Sequence, residues 1–125
     1  MNDFYYYNIN PNKNVEEDCV CRAISLASGI SYNIIDKLLE LVSKSNQCDK
    51  LCVCCYHKLL EDIFGYRVKF VYKKKTVGQI ADEYKNNTLI VRINGHLTAC
   101  VNGCCVDIWD CTNEKVDCFW IVENY

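Results

Sequence analysis

The stretch that decides the fold is 88-TLIVRINGHLTACVNGCCVDIW-109. Three apolar runs, "TLIVRI", "HLTACV" and "CCVDIW", are separated by Asn-Gly pairs at 94–95 and 102–103. Asn-Gly accepts the positive φ angles of a two-residue hairpin turn, so the spacing predicts two consecutive hairpins and three antiparallel strands. A further strand is expected at "CFWIV", 118–122.

Upstream of this block the period changes. "YRVKFVY", 66–72, sets Tyr66, Val68, Phe70 and Tyr72 against Arg67 and Lys69, the two-residue repeat of a half-buried strand. In "TVGQIADEY", Thr76 and Gln79 have capping-box spacing and predict a short helix. Before residue 65 the periodicity is helical. One helix is expected from Cys19 to about Ala27, stopping at Ser28-Gly29. A second is expected over 31–43, with Ile34, Leu38 and Leu41 on one face and Ile35, Leu39 and Val42 beside it. A third spans about 53–64, burying Leu59, Leu60, Ile63 and Phe64 and ending at Gly65. Residues 1–17, rich in Asn and Tyr, read as an irregular arm. Helices first and a mostly antiparallel sheet afterwards make an α+β domain spanning residues 1–125.

The chain has 125 residues, enough for one hydrophobic core. Half are hydrophobic, 24% are charged and the formal charge is −2, which gives no electrostatic reason to expect nucleic acid or an anionic membrane as partner. Lys73, Lys74 and Lys75 form the one basic cluster and read as a solvated loop. No apolar run has the length of a membrane span, and the first residues lack a signal-peptide pattern. A cytoplasmic protein is therefore expected, with its eleven cysteines mostly reduced.

The second hairpin carries chemistry. With Asn102-Gly103 as the turn, Cys100 lies opposite Cys105, Thr98 opposite Asp107 and His96 opposite Trp109. Alternation then puts His96, Thr98, Cys105, Asp107 and Trp109 on one face. Asp107 is diagonal to His96, roughly 7–8 Å away between backbone positions, a gap the two side chains can close. A carboxylate beside an imidazole fixes its tautomer and stabilises its cation. The plain alternative is a satisfied, partly buried histidine. Asp110 falls on the opposite face. His57 lies on a helix and reads as a surface or boundary residue.

A thiol at the first turn of a helix has its pKa lowered, which favours thiolate. In "EEDCVCRAI", 16–24, Cys19 and Cys21 are about 200° apart on a helix, so only one can face a given cleft. Cys19 is nearer the N-terminus and is the candidate nucleophile; Cys21 reads as a small buried hydrophobe. Asp18 opposes thiolate formation at Cys19 unless it turns away.

The motifs "DCVCRAISLASG" (18–29), "NGHLTACVNG" (94–103) and "CVDIWD" (105–110) resemble those of papain-like cysteine peptidases, in the small single-domain versions of bacteria and phages. The resemblance runs from residue 18 to 110. It implies a papain-like fold with N-terminal helices packed on the sheet, and a cysteine peptidase or amidase with Cys19 as nucleophile, His96 as base and later acid, and Asp107 as orienting group. It further implies a peptide or protein substrate, hydrolysed through a thioester, with no metal or other cofactor required.

Papain-type enzymes usually carry a Gln about six residues before the cysteine. Here Lys13 stands there, flanked by Asn12 and Asn14, and Asn14 is the candidate amide donor to the oxyanion. Val20 replaces the glycine that often follows the nucleophile. A papain-like protein that binds or inhibits without cutting is the alternative these departures leave open. A zinc module is the other: Cys52 and Cys55 form one CxxC pair, but no second pair accompanies it.

Overall fold

A computed structural model describes residues 3–12 and 18–123. Among these, a six-stranded sheet in the order β1-β5-β4-β3-β6-β2 forms the centre of an α+β architecture. Its strands are β1 (Asp3–Tyr6), β2 (Arg67–Phe70), β3 (Thr88–Ile93), β4 (His96–Val101), β5 (Cys104–Asp107) and β6 (Val116–Val122). Every pairing is antiparallel except β1 with β5. The helices are α1 (Cys19–Ser28), α2 (Tyr32–Asn46), α3 (Val53–His57) and α4 (Val77–Glu83). None of them is long and apolar enough to cross a membrane.

Both Asn-Gly pairs make two-residue turns, though at the first only Gly95 has a positive φ (72°). β3 and β4 pair from Ile93 with His96 outward, and β4 and β5 from Val101 with Cys104 outward, including Cys100 with Cys105. At the second turn Asn102 and Gly103 have φ of 50° and 84°, the two positive angles this turn needs. A Cβ on Gly103 would also sit 3.1 Å from the Lys85 side chain.

β3 is apolar on both faces because both are covered: Leu89, Ile90 and Val91 are fully buried. On one face α1, α2 and α3 pack against Ile90, Leu97, Ala99 and Trp120. On the other, α4 packs with Leu89, Val91, Cys100, Cys105 and Phe119. Thr76 and Gln79 complete the capping box of α4, each side chain bonded to the other's backbone N–H (3.2 and 2.8 Å).

Several expectations need correction. Residues 3–6 of the expected irregular arm form the edge strand β1, paired in parallel with β5. The unbroken aromatic run Phe4–Tyr7 has no two-residue alternation, so only the unpaired edge of β5 makes it a strand. On α2 the buried row is Ile35, Leu39 and Val42, while Ile34 and Leu41 are exposed. The third helix is α3 followed by a π-helical segment, Lys58–Ile63, with Phe64 N–H bonded to the Leu59 carbonyl. The wider turn carries Ile63 out to solvent while Leu59 and Leu60 stay buried. β2 is an edge strand, and Phe70 and Tyr72 are exposed rather than half-buried.

Candidate active site

His96 is the first residue of β4 and Asp107 the last of β5, so the hairpin register places both at the end away from the Asn102-Gly103 turn. His96 Nε2 lies 2.7 Å from Asp107 Oδ2. The second Asp107 oxygen accepts from the Ile108 N–H (2.7 Å) and from Arg22 Nη1 (3.2 Å). With Nε2 engaged, Nδ1 is the ring nitrogen left to serve another group. Trp109 stands edge-on to the imidazole, with ring centroids 5.1 Å apart.

Cys19 begins α1 and lines the same cavity as His96 and Leu97. Burial alone would push the Cys19 pKa up; the His96 hydrogen bond, the Leu97 backbone and the His96 and Arg22 charges together bring it below the usual thiol value. Burial opposes charge on His96 too, but the Asp107 and Cys19 interactions prevail and raise it to about 9. Asp107 is held below the usual carboxylate value, since bonds from His96 and Thr98 outweigh its burial. The three groups therefore favour a thiolate, an imidazolium and a carboxylate in a row.

Asp18 does not quench this arrangement, nor does its side chain cap α1. Its carboxylate is buried and turned to other partners. One oxygen accepts from Arg22 Nε (2.8 Å), the other from the Tyr32 hydroxyl (2.8 Å) and Asn10 Nδ2 (2.9 Å). Arg22, itself buried, thus links Asp18 to Asp107. One turn of helix sets this up: Arg22 follows Asp18 by four residues and Cys19 by three, so all three lie on one side of α1.

Cys21 takes the bland role expected of it. It is buried, its thiol donates to the Tyr32 carbonyl (3.3 Å), and burial pushes its pKa up to about 12. Asp110 accepts from the Thr112 N–H and hydroxyl and stabilises its own loop. His57 is half-exposed and paired with Glu61. Lys13 and Asn14 lie outside the described residues. Asn12 is exposed, with its backbone N–H on Asn10 Oδ1.

A cavity of about 190 Å³ opens beside Cys19 and His96, bounded by Leu51, Val53, Tyr56, Arg92 and Gly95. Sequence reasoning missed Arg92 and gave Arg22 no role. The four-residue spacing of Asp18 and Arg22 was the available signal for the second; nothing in the sequence points Arg92 into this cavity.

None of the eleven cysteines is in a disulfide. The CxxC pair does not converge: Cys55 is buried with its thiol toward the Leu39 carbonyl, while Cys52 meets Cys54. One His-Asp-Cys group, formed by His96, Asp107 and Cys111, has ligand atoms within 4.8 Å of one another. Compared with protein-family models, curated proteins and solved structures, the chain has no match in any of the three.

Proposed function

We propose that the protein is a papain-like cysteine hydrolase, a peptidase or amidase, with Cys19 as nucleophile, His96 as base and acid, and Asp107 as orienting group. The observation that carries this reading is that Cys19 and His96 border one cavity, with 2.7 Å between His96 Nε2 and the Asp107 carboxylate. His96 takes the Cys19 proton through Nδ1, and the thiolate adds to the carbonyl of a bound amide. The tetrahedral oxyanion is met by the Cys19 backbone N–H. As it collapses, the C–N bond breaks, His96 returns its proton to the leaving amine, and a thioester remains. Water, deprotonated by His96, then hydrolyses the thioester and frees the thiol.

Labelling with iodoacetamide near neutral pH tests the reading. Cys19 is expected to react selectively and to slow by about 10²-fold or more in a His96→Ala variant. Slow, uniform labelling of many cysteines would refute an activated nucleophile. Asp107→Asn should depress the rate while Asp110→Asn leaves it unchanged.

A metal site has one observation in its favour, the proximity of His96, Asp107 and Cys111. The Arg22 guanidinium already on Asp107 makes that carboxylate a poor partner for a second cation. Stoichiometric zinc whose removal unfolds the protein would reverse the preference.

A further inference from the structure

Four cysteines fall within "CDKLCVCC", 48–55, and the hydrolase mechanism uses none of them. The segment joins α2 to α3 through a tight turn in which the Leu51 N–H bonds the Asp49 side chain and the Cys52 N–H bonds the Asp49 carbonyl (both 2.9 Å). Cys52 then stands in extended backbone at the entry to α3, and Cys54 follows inside its first turn. This local path brings the Cys54 and Cys52 sulfurs to 3.1 Å. Both are accessible: Cys54 is exposed and Cys52 partly so. Cys105 and Cys111 also approach, to 3.8 Å, but are sealed in the core. The two residues that flank Cys52, Leu51 and Val53, line the cavity beside Cys19 and His96.

We propose that Cys52 and Cys54 form a reversible redox site, oxidised to an intramolecular disulfide by exchange with a small-molecule disulfide, and that its closure reshapes the wall of the Cys19 cleft. The redox site stands whatever the cleft does; its effect on catalysis rests on the hydrolase reading. The Cys52 thiolate attacks one sulfur of the small disulfide and expels a thiolate, leaving a mixed disulfide. Cys54, its proton lost to solvent, attacks the Cys52 sulfur and expels the second thiolate. In net terms the two protein thiols are oxidised and the small disulfide is reduced to two thiols. The hydrogen bond between the two thiols favours these roles, lowering the pKa of Cys52 and raising that of Cys54 to about 11.

Bonding requires the sulfurs to approach by about 1 Å, to the ~2.05 Å of a disulfide. Only Val53 lies inside the ring, so the backbone must absorb the change where Leu51 and Val53 meet the cleft. So small a ring removes little unfolded-chain entropy, which suits a labile pair rather than a structural staple.

The test is to equilibrate the reduced full-length protein with glutathione disulfide. The expected product has lost the mass of two hydrogens, with the bond mapped to Cys52–Cys54. It should be absent in Cys52→Ser and Cys54→Ser but retained in Cys48→Ser. A bond mapped to another pair, or a persistent mixed disulfide, overturns the proposal. On oxidation the amide resonances of Gly95 and His96 across the cleft should shift, and labelling of Cys19 by a peptide-sized electrophile should slow about tenfold. Unmoved Gly95 and His96 resonances overturn the coupling to the cleft. A Cys19 that reacts slowly in both redox states instead marks failure of the hydrolase reading.

Discussion

Arg22 is the side chain on which the most groups depend. It is buried between Asp18 and Asp107; Asp107 also holds His96, but among the described residues Arg22 is the one cation paired with Asp18. Replacing it by Met leaves Asp18 buried without its cation and Asp107 with His96 alone, at a cost of about 3–5 kcal/mol in urea unfolding. Arg22→Lys should recover only part of that, because an ammonium cannot span both acids with the fork of a guanidinium. The pH dependence of Cys19 labelling follows from the same cluster. The rate should rise as Cys19 ionises, below the usual thiol range, and lose its imidazolium-dependent part as His96 deprotonates near pH 9. A single titration at the ordinary thiol value of 9.0 would contradict the ion pair.

Among elements, the β4–β5 hairpin governs the site, because its turn fixes which face Asp107 occupies. Gly103→Val places a β-branched residue at φ 84° and a Cβ against Lys85. A loss of about 2 kcal/mol is expected, read as a lower urea midpoint. The helix α4 offers a control away from the site: Thr76→Ala removes half of its capping box and should cost about 1 kcal/mol without altering Cys19 reactivity. Legibility at this scale followed the range of the forces involved. The two Asn-Gly turns and the Thr76–Gln79 cap are local, so the residues that make them are adjacent in sequence. β1 was not legible, because its strand character comes from β5, a hundred residues away. The row of α2 that would be buried was open for a related reason: both rows are apolar, and only the packing of α1, α3 and the sheet selects Ile35, Leu39 and Val42.

Over the whole molecule, the site links stability to pH. His96 has a folded pKa of about 9 against an ordinary 6.5, so its contribution is complete below pH 6.5 and is lost as pH rises through about 9. Asp107 works in the opposite direction: its contribution is present above the ordinary value of 3.8 and is lost as pH falls through its lower folded value. In a Cys19→Ser background, which removes the opposing titration of the thiol, the urea midpoint should therefore decline above pH 6.5, and adding His96→Gln should flatten that decline. An equal slope in both proteins would remove His96 as its source. Trp120, buried in the core with its indole N–H on Glu61 (3.0 Å) and its ring edge-on to Tyr56, ties the π-helical segment to β6. Trp120→Ala should cost about 3–5 kcal/mol in the same measurement.

The sequence by itself determined the α+β order of elements, the two hairpin turns and the register that sets Asp107 diagonal to His96, because turn chemistry and side-chain alternation act between near neighbours. It also separated Cys19 from Cys21 by angle, and made Cys19 the candidate because it stands nearer the helix N-terminus. Only the tertiary structure decided that Asp18 turns away from Cys19, that Arg22 joins it to Asp107, and that Leu51 and Val53, on either side of Cys52, line the Cys19 cleft. Those contacts join the start of α1, the end of β5 and the entry to α3, and their geometry exists only once the helices have packed across the sheet.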